Sequence, residues 1–504
     1  MNENLYALFA SRFPADRGAP LMILEGDRAV TYEDAEAEVG RFAHLLTSLG
    51  VKPGDRVAVQ VEKSPEALLL YLACLRAGFV YLPLNSAYQE AEVSYFLENA
   101  EPSAVVAQPR SIPWLEPLAA RLGIRHVLSL DDQGRGTLIE RSRGAPASFA
   151  TVPRTGDDLA AILYTSGTTG RSKGAMLSHR NLAANAIVLH REWGFRAGDV
   201  LVHMLPLFHV HGLFVACHTI LLNGGAMRFH AKFDAARALR DFARATIFMG
   251  VPTFYTRLLA EPGLTREACA GMRLFVSGSA PLLAETHAEF QARSGHRILE
   301  RYGMTETGML TSNPLHGDRR AGSVGPALPG TDVRVVDDEG RPCPAGEIGH
   351  IQVKGDNVFG GYWRMPERTR EEFTADGYFR TGDVGSISAD RYVTIVGRSK
   401  DLIISGGYNV YPKEIEMAID ELPGVQESAV VGVPHPDFGE AVTAVVVPRA
   451  GATIAETDII ATLRGRLANF KVPKRVYVVG ELPRNAMGKV QKNVLRERYA
   501  APGS

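Results

Sequence analysis

The stretch YTSGTTGRSKG, residues 164–174, packs five serines and threonines around two glycines and ends in Lys173 and a third glycine. Glycines let backbone N–H groups turn toward one point, hydroxyls add donors, and a lysine supplies the positive charge that phosphate oxygens need. Arg171 and Ser172 separate this lysine from the preceding glycine, so the stretch does not match a Walker A loop. An apolar strand predicted over 159–163 leads into it. The stretch therefore predicts a phosphate-binding loop of another kind, with a polar surface loop as the alternative.

Length and composition narrow the class of protein. A chain of 504 residues is too long for one ordinary core, which predicts two or more domains. A formal net charge of −1 gives no electrostatic case for binding nucleic acid or an acidic membrane. The four cysteines lack metal-ligand or redox spacing, and neither a secretory signal nor a membrane span is recognisable. We expect a cytoplasmic protein with reduced thiols, no nucleic-acid partner and no membrane partner.

Hydrophobic periodicity predicts an α/β fold. Strands over 56–61 and 80–84 alternate with helices that begin after Thr31 and Ser64, and this rhythm continues to residue 330, as in parallel sheets covered by helices. Residues 133–156 are polar and predict a surface connection. A turn-rich β segment follows residue 330, and a small α+β module follows a break near 398–401. The predicted division is an N-terminal domain over 1–398 and a C-terminal domain over 399–504.

The glycine-rich loop resembles the phosphate-binding signature of the AMP-forming acyl-adenylate enzymes, which include acyl-CoA synthetases, peptide-synthetase adenylation domains and luciferases. The resemblance extends over essentially the whole chain. It is strongest to malonate–CoA ligases, through LPLFHVHG (205–212), GVPTFYTRLL (250–259), FVSGSAPL (275–282) and ERYGMTET (300–307). It implies a large N-terminal domain with a β-rich subdomain and a small mobile lid. It also implies that malonate, ATP and coenzyme A react to give malonyl-CoA, AMP and pyrophosphate through malonyl-AMP.

The resemblance assigns an ATP site to several separate segments. In this ATP site, Tyr302 would stack on adenine and Glu306 would ligate Mg²⁺. Asp383 and Arg398 would contact the ribose. A carboxylate suits Mg²⁺, which prefers oxygen ligands, and a carboxylate can accept both hydroxyls of a ribose. The residues implied in ATP binding are Thr165, Ser166, Gly167, Thr168, Thr169, Gly170, Lys173, Ser279, Ala280, Pro281, Tyr302, Gly303, Met304, Thr305, Asp383 and Arg398.

Catalysis in the resembling family uses a lysine on the lid, and Lys489 in LPRNAMGK takes that position here. It would bridge the carboxylate and the α-phosphate in the first half-reaction, with Thr305, Glu306 and His209 as further catalytic residues. Lys400 occupies the family's interdomain hinge, and Gly406, Gly407 and Tyr408 match the segment that lines the pantetheine tunnel. Acetylation of Lys489 would remove its charge, so a lysine acetyltransferase and a deacetylase are expected regulatory partners.

The acid substrate is expected to lie near His209, Ser279 and Met304. A second, non-reacting carboxylate of malonate would need a cation or several donors. Arg257 is the sequence candidate, because strand 246–251 runs into Pro252 and a helix opening at the carboxyl end of a parallel strand is a usual ligand position. The alternative interpretation of Arg257 is an arginine that faces solvent. The alternative interpretation of His209 is a buried histidine whose hydrogen bonds are satisfied.

Three alternatives for function remain open from the sequence. Another small acid, such as methylmalonate or a short fatty acid, would use the same machinery. A stand-alone amino-acid adenylation protein would need an acidic residue near residues 205–212 to meet the substrate amine, and that stretch has none. A relative without catalysis would be expected to lack Lys173, Glu306 or Lys489, which are all present. No carrier-protein segment follows residue 504, which favours free coenzyme A.

Overall fold

The computed structural model describes residues 2–165, 172–405, 408–435, 438–467, 469–485 and 488–500, without the side chains of 408 and 409. The chain divides into two compact units. The first comprises Met1–Asp332 and Lys354–Gly377, and the second comprises Val333–Val353 and Tyr378–Ser504. Residue 398, where the sequence predicts a domain boundary, lies within the second unit, and that boundary stays a prediction.

The described residues form strands that are numbered here in chain order. These are β1 Pro20–Ile23, β2 Ala29–Thr31, β3 Arg56–Gln60, β4 Val80–Pro83, β5 Ala104–Ala107, β6 His126–Ser129, β7 Leu159–Thr165, β8 Lys173–Ser178, β9 Val200–His203, β10 Ala226–Phe229, β11 Ile247–Gly250, β12 Leu274–Ser277, β13 Leu299–Met304, β14 Gly308–Ser312, β15 Thr331–Val336, β16 Gly349–Gly355, β17 Phe379–Ile387, β18 Val393–Arg398, β19 Ile403–Ser405, β20 Tyr408–Val410, β21 Val425–His435, β22 Gly439–Pro448 and β23 Arg475–Val478.

The helices follow the same convention. They are α1 Leu5–Ala10, α2 Tyr32–Ser48, α3 Pro65–Ala77, α4 Glu90–Ala100, α5 Ile112–Arg121, α6 Thr137–Ser142, α7 His179–Glu192, α8 His218–Leu221, α9 Ala235–Phe242, α10 Pro252–Ala260, α11 Ala284–Ser294, α12 Pro366–Glu372, α13 Pro412–Asp420, α14 Glu456–Arg464 and α15 Lys492–Tyr499. Short 3₁₀ turns cover Glu25–Asp27, Pro109–Ser111 and Ser399–Asp401, and a π-helix covers His211–Cys217.

Two sheets organise the first unit. The six-stranded sheet has the order β6-β5-β3-β4-β7-β8, and the eight-stranded sheet has the order β14-β13-β12-β11-β9-β10-β1-β2. Neighbouring strands are parallel except for the pairs β7–β8, β13–β14 and β1–β2. Crossover helices between parallel strands cover the faces of such sheets. The predicted α/β class with parallel sheets is confirmed, and three antiparallel strands are added at the ends.

Local signals in the sequence explain where the early helices begin and end. Thr31 and Asp34 form a capping box at the start of α2, where the sequence predicts a helix. The Ser64 side chain accepts from the N–H of Ala67 and Pro65 occupies the first position of α3, which ends at Gly78 with a left-handed backbone. The prediction that residues 133–156 form only a surface connection is wrong. This stretch contains the six-residue helix α6, in which Leu138 is fully buried.

The second unit is richer in strands. The strands β15-β16-β17-β18 form a four-stranded sheet, and β20-β19-β22-β21 with β23 beside β22 form a five-stranded sheet. Helices α13 and α14 pack on the five-stranded sheet around a core of valine, isoleucine and leucine, including Ile415, Val430 and Val446. This is the small α+β module that the sequence predicts. Among the described residues, no helix has the length and apolar character required to cross a membrane.

Candidate active site

The glycine-rich segment joins two antiparallel strands of the six-stranded sheet. Strand β7 ends at Thr165, β8 begins at Lys173, and these two residues pair across the ladder. A Walker A lysine instead stands between a strand and a helix, so the position of Lys173 agrees with the sequence argument against that motif. Five predicted phosphate contacts lie outside the described residues and stay predictions. They are Ser166, Gly167, Thr168, Thr169 and Gly170.

Lys173 is a buried cation with two partners that are distant in sequence. Its side chain is 10% exposed, and its Nζ lies 3.1 Å from Oε1 of Glu372 and 4.2 Å from the centroid of the Tyr362 ring. Arg368 also contacts Glu372, at 2.8 Å. A carboxylate and an aromatic face therefore stabilise the lysine charge. A phosphate bound here would compete with Glu372 for the ammonium.

Glu306 occupies the turn between β13 and β14 and is 5% exposed. Its Oε1 accepts from the hydroxyl of Tyr362 at 3.1 Å and from the hydroxyl of Thr165 at 3.3 Å. The turn is tight, because a Cβ added at Gly303 would lie 2.1 Å from the carbonyl oxygen of Gly308. Glu306 thereby links the β13–β14 hairpin to the end of β7 in the β7–β8 hairpin.

The segment from Arg301 to Met304 lies inside β13. Tyr302, Met304 and Thr305 are half-buried, and their predicted contacts with adenine or the acid stay predictions. Among the residues that the structure describes, no group of three His, Cys, Asp or Glu side chains is arranged to hold a metal ion.

Two histidines lie at the start of the π-helix, and their environments differ. His209 is half-buried, and its Nδ1 accepts from the backbone N–H of His211 at 3.3 Å. His211 is 1% exposed, and its Nδ1 lies 3.3 Å from Oγ of Ser279. Burial, and then the charge of Arg301, holds the pKa of His211 well below its ordinary value, so this ring is neutral. The sequence predicts a role for His209 and none for His211.

The π-helix is supported from outside by a buried lysine and a buried histidine. Lys63 Nζ lies 2.6 Å from Nδ1 of His203, and His203 Nε2 lies 2.8 Å from the carbonyl oxygen of Gly212. A Cβ at Gly212 would come within 2.0 Å of the Pro206 carbonyl oxygen, so only glycine fits this close approach. π-Helical turns are frequent at functional sites, and these contacts hold the turn that carries His211.

The loop after β12 carries Ser279, Ala280 and Pro281, which are implied in nucleotide binding. Ser279 has φ of 71°, a left-handed conformation that costs a non-glycine residue energy and that recurs at ligand sites. Arg257 lies on α10, which begins at Pro252 as predicted, and its side chain is exposed. Its role as the reader of a second carboxylate stays a prediction. The buried arginine near this loop is Arg301, at 3% exposure.

In the second unit, the two predicted ribose contacts lie side by side. Asp383 on β17 pairs with Arg398 on β18, and Arg398 Nε lies 2.7 Å from Oδ1 of Asp383. Asp383 is 3% exposed. The ion pair with Arg398 fixes the orientation of the Asp383 carboxylate. A carboxylate that is oriented in this way is preorganised to accept hydrogen bonds from two hydroxyls.

Lys489 shares its electrostatic environment with the same pair. Its side chain keeps exposed surface, yet desolvation by the surrounding atoms, and then the charge of Arg398, lowers the pKa of Lys489, while Asp383 opposes the shift. Lys400 also contributes, from the 3₁₀ turn Ser399–Asp401. The second unit therefore brings together the predicted ribose contacts, the predicted hinge Lys400 and the predicted catalytic Lys489.

The predicted coenzyme A tunnel is only partly described. Gly406 and Gly407 lie outside the described residues, and of Tyr408 only the backbone is described, in β20. Tyr362, Glu372, Arg301 and His211 are the site residues that the sequence argument missed. Arg301 lies within the ERYGMTET motif, and Tyr362 lies in the segment after residue 330, for which the sequence predicts only turn-rich β structure.

Two family models match the chain. The model of the AMP-binding enzymes covers residues 8–363, and the model of the AMP-binding enzyme C-terminal domain covers residues 414–489. The chain therefore belongs to the AMP-binding enzyme family, the AMP-forming acyl-CoA synthetases, as its motifs predict.

Comparison with individual proteins places it near the malonate–CoA ligases. It is 37% identical to the mitochondrial malonate–CoA ligase of Mus musculus, with 96% of this chain and 91% of the relative covered. It is 36% identical to a feruloyl-CoA synthase of Amycolatopsis sp, with 95% of each covered. The crystal structure of ATP-bound MatB from Rhodopseudomonas palustris superposes with a TM-score of 0.97 at 56% identity, and 99% of each chain is covered. The chain is thus an AMP-forming acid–CoA ligase that uses ATP and coenzyme A.

Proposed function

We propose that the acid substrate is malonate and that the product is malonyl-CoA. The observation that carries this choice is that malonate–CoA ligases are among the relatives of the chain. They include the enzymes of Mus musculus and of Arabidopsis thaliana, and the Arabidopsis enzyme is 35% identical, with 92% of this chain covered. Ligases for feruloyl and sulfoacetyl groups are as similar overall. Chemistry at the acid site must therefore make the distinction.

In the first half-reaction a malonate oxygen attacks the α-phosphorus of ATP, and pyrophosphate leaves. Negative charge builds on phosphate oxygens in this step, so preorganised cations and N–H donors stabilise it most. We assign the triphosphate to Lys173 and the 165–170 segment, with Ser279, Ala280 and Pro281 lining the nucleotide. Lys489 bridges the attacking carboxylate and the α-phosphate.

The residues present fit a Mg²⁺ ion that arrives with ATP. Glu306 offers one buried carboxylate supported by two hydroxyl donors, and Mg²⁺ is commonly held by one or two carboxylates together with substrate phosphates. Glu306 would hold the ion, with Thr305 beside it. When bound, Mg²⁺ would neutralise charge on the phosphates. The chain's own task here is to hold the Glu306 carboxylate in position through Thr165 and Tyr362.

In the second half-reaction the thiol of coenzyme A attacks the acyl carbon and AMP leaves. We propose that residues 399–504 rotate about Lys400 between the two steps, since Lys489 and the thiol must reach the same reacting group. Gly406, Gly407 and Tyr408 would then line the pantetheine path. His209, Ser279 and Met304 border the acid in both steps, and acetylation of Lys489 would stop the first step only.

A panel of acids tests the substrate assignment. Release of AMP is measured with ATP, coenzyme A and, in separate reactions, malonate, methylmalonate, butyrate, sulfoacetate and ferulate. The proposal requires malonate to give the highest kcat/KM and AMP release to depend on coenzyme A. A higher kcat/KM for butyrate or ferulate would refute malonate as the substrate while leaving the acid–CoA ligase intact. AMP release without coenzyme A but with an amino acid would favour a stand-alone adenylation protein.

A further inference from the structure

Helix α4 contacts the β7–β8 hairpin on both sides of the glycine-rich segment. The hydroxyl of Tyr95 donates to the carbonyl oxygen of Ser172 at 2.8 Å, and the hydroxyl of Tyr164 donates to Oδ1 of Asn99 at 2.5 Å. Tyr164 belongs to the end of β7, and Ser172 directly precedes β8. Residues four positions apart lie on one face of a helix. One face of α4 therefore holds the chain before and after residues 166–171, which lie outside the described residues.

The same end of α4 also holds the segment that contains Tyr362. The backbone carbonyl of Asn99 accepts from Nε1 of Trp363 at 3.0 Å, and the backbone N–H of Trp363 donates to the carbonyl of Gly174 at 2.8 Å. The neighbouring Tyr362 ring lies 4.2 Å from Nζ of Lys173. Asn99 thus connects the hairpin to the segment whose tyrosine stabilises the charge of Lys173.

Helix α4 is anchored independently of these contacts. Its apolar side packs into the core of the six-stranded sheet, where Phe96 and Leu97 are buried. At its C-terminus, the carbonyl oxygens of Ala100 and Glu101 accept from the guanidinium of Arg56 at 2.8 and 2.7 Å. The last carbonyls of a helix have no partner within the helix, and a cation there is favourable. The helix can therefore act as a fixed support for the hairpin.

A fixed support matters because a phosphate site must hold its donors in place before the ligand arrives. A segment that is ordered in advance loses less conformational entropy on binding, and so binds more tightly. The β7–β8 ladder holds the two ends together through the pair Thr165–Lys173. The two hydroxyl contacts add an attachment on each side, from an element outside the hairpin.

We propose that Tyr95 and Asn99 are positioning residues for the phosphate-binding segment and raise the affinity for the β- and γ-phosphates of ATP. They act through Ser172 and Tyr164 and do not touch the nucleotide. The inference rests on the proposed assignment of the triphosphate to Lys173 and the 165–170 segment. AMP lacks the β- and γ-phosphates, so comparing ATP with AMP isolates the effect of this segment.

Calorimetric titration of the whole enzyme with ATP and Mg²⁺, or with AMP, and without an acid, tests the inference. Tyr95→Phe and Asn99→Ala each remove one neutral hydrogen bond, which should raise Kd for ATP about 3- to 10-fold and change Kd for AMP by no more than about twofold. Tyr88→Phe is the matched control, because the Tyr88 ring lies 5.1 Å from that of Phe96 in the same cluster. No partner of the Tyr88 hydroxyl lies in the described part of the chain. This variant should leave both constants unaltered.

A double-variant cycle tests whether Asn99 acts through the hydroxyl of Tyr164. Tyr164→Phe removes the other side of the same hydrogen bond, while Asn99→Ala keeps the backbone carbonyl that accepts from Trp363. Both single variants should weaken ATP binding by the same factor, and the double variant should bind ATP no more weakly than either. Losses that multiply in the double variant would refute this contact as the cause.

The outcomes also separate this inference from the phosphate assignment itself. A parallel rise in Kd for ATP and AMP in Tyr95→Phe and Asn99→Ala would show general support of the fold and overturn the inference. Unchanged constants would overturn it as well. Lys173→Met is the reference: if it leaves the ATP-to-AMP ratio unaltered, the triphosphate assignment is wrong. If it raises the ratio and the α4 variants do not, the assignment stands and the role of α4 is refuted.

Discussion

Replacing Lys173 with methionine tests whether this buried cation serves ATP or only the fold. Methionine keeps the length of the side chain and removes the charge. In the folded protein Lys173 pairs with Glu372, and their side chains are 10% and 17% exposed. Losing one partner of a buried pair usually costs about 3–5 kcal/mol. Because Arg368 still contacts Glu372 at 2.8 Å, we expect a smaller loss of about 1–2 kcal/mol in the free energy of unfolding.

The effect on catalysis should be larger than the effect on stability. A hydrogen bond between a charged donor and a phosphate contributes about 1.5–3 kcal/mol, which corresponds to a fall of about 10- to 150-fold in kcat/KM for ATP. The assay is malonate-dependent exchange of labelled pyrophosphate into ATP, at ATP concentrations below KM. Exchange reports the first half-reaction alone, so the step that uses coenzyme A does not mask the result.

Arg368→Met is the matched control for Lys173→Met. It removes the other cation on Glu372 and leaves Lys173 in place. We expect a similar loss of stability, because Arg368 pairs with both Glu371 and Glu372. Exchange should change by no more than about threefold, because the charge of Lys173 is kept. If both variants lowered exchange by the same factor, the lysine would act only through Glu372. The assignment of Lys173 to phosphate would then be refuted.

Three further predictions concern the second unit. Lys489→Ala should abolish pyrophosphate exchange and largely preserve thioester formation from supplied malonyl-AMP; equal losses in both would contradict its role in one step. Lys400→Pro restricts φ at the proposed pivot and should impair one half-reaction far more than the other, whereas Lys400→Ala should not; a small uniform loss would place the pivot elsewhere. Burial raises the pKa of Asp420 from 3.8 to about 6, against the hydrogen bond from Ser428. The native carboxyl therefore binds a proton more tightly than the unfolded one, and the free energy of unfolding falls as pH rises from about 4 to about 6. Asp420→Asn should raise the unfolding temperature more at pH 7 than at pH 4, and an equal change at both would contradict this.

Local signals allowed much of the fold to be predicted. Helices α2 and α3 begin where Thr31 and Ser64 can cap them, and α10 begins at Pro252, because caps and N-terminal prolines act within one turn of chain. The hairpin character of the glycine-rich segment was not predicted. The direction of β8 is set by its antiparallel pairing with β7, and the sequence of the loop does not predict that pairing.

Site residues contributed by distant segments were harder to predict for the same reason. Glu306 was identified from its motif, but its partner Tyr362 lies in another segment, and only the folded chain brings them to 3.1 Å. The ERYGMTET motif contains both Arg301 and Glu306 but predicts no role for Arg301, because the burial of Arg301 depends on the close approach to Gly278. Arg257 was chosen instead from its place near a helix start, and periodicity could not reveal that it is exposed.

Transfer of oxygen from the acid to AMP tests the proposed reaction most directly. Malonate labelled with ¹⁸O in its carboxylates is converted with ATP and coenzyme A, and the AMP, pyrophosphate and any ADP or phosphate are analysed by mass spectrometry. An acyl-adenylate path requires the attacking carboxylate oxygen to remain on the α-phosphate when the thiol displaces AMP. The prediction is therefore one ¹⁸O in each AMP and none in pyrophosphate. Label in inorganic phosphate, together with ADP, would show an acyl-phosphate path and contradict the proposal.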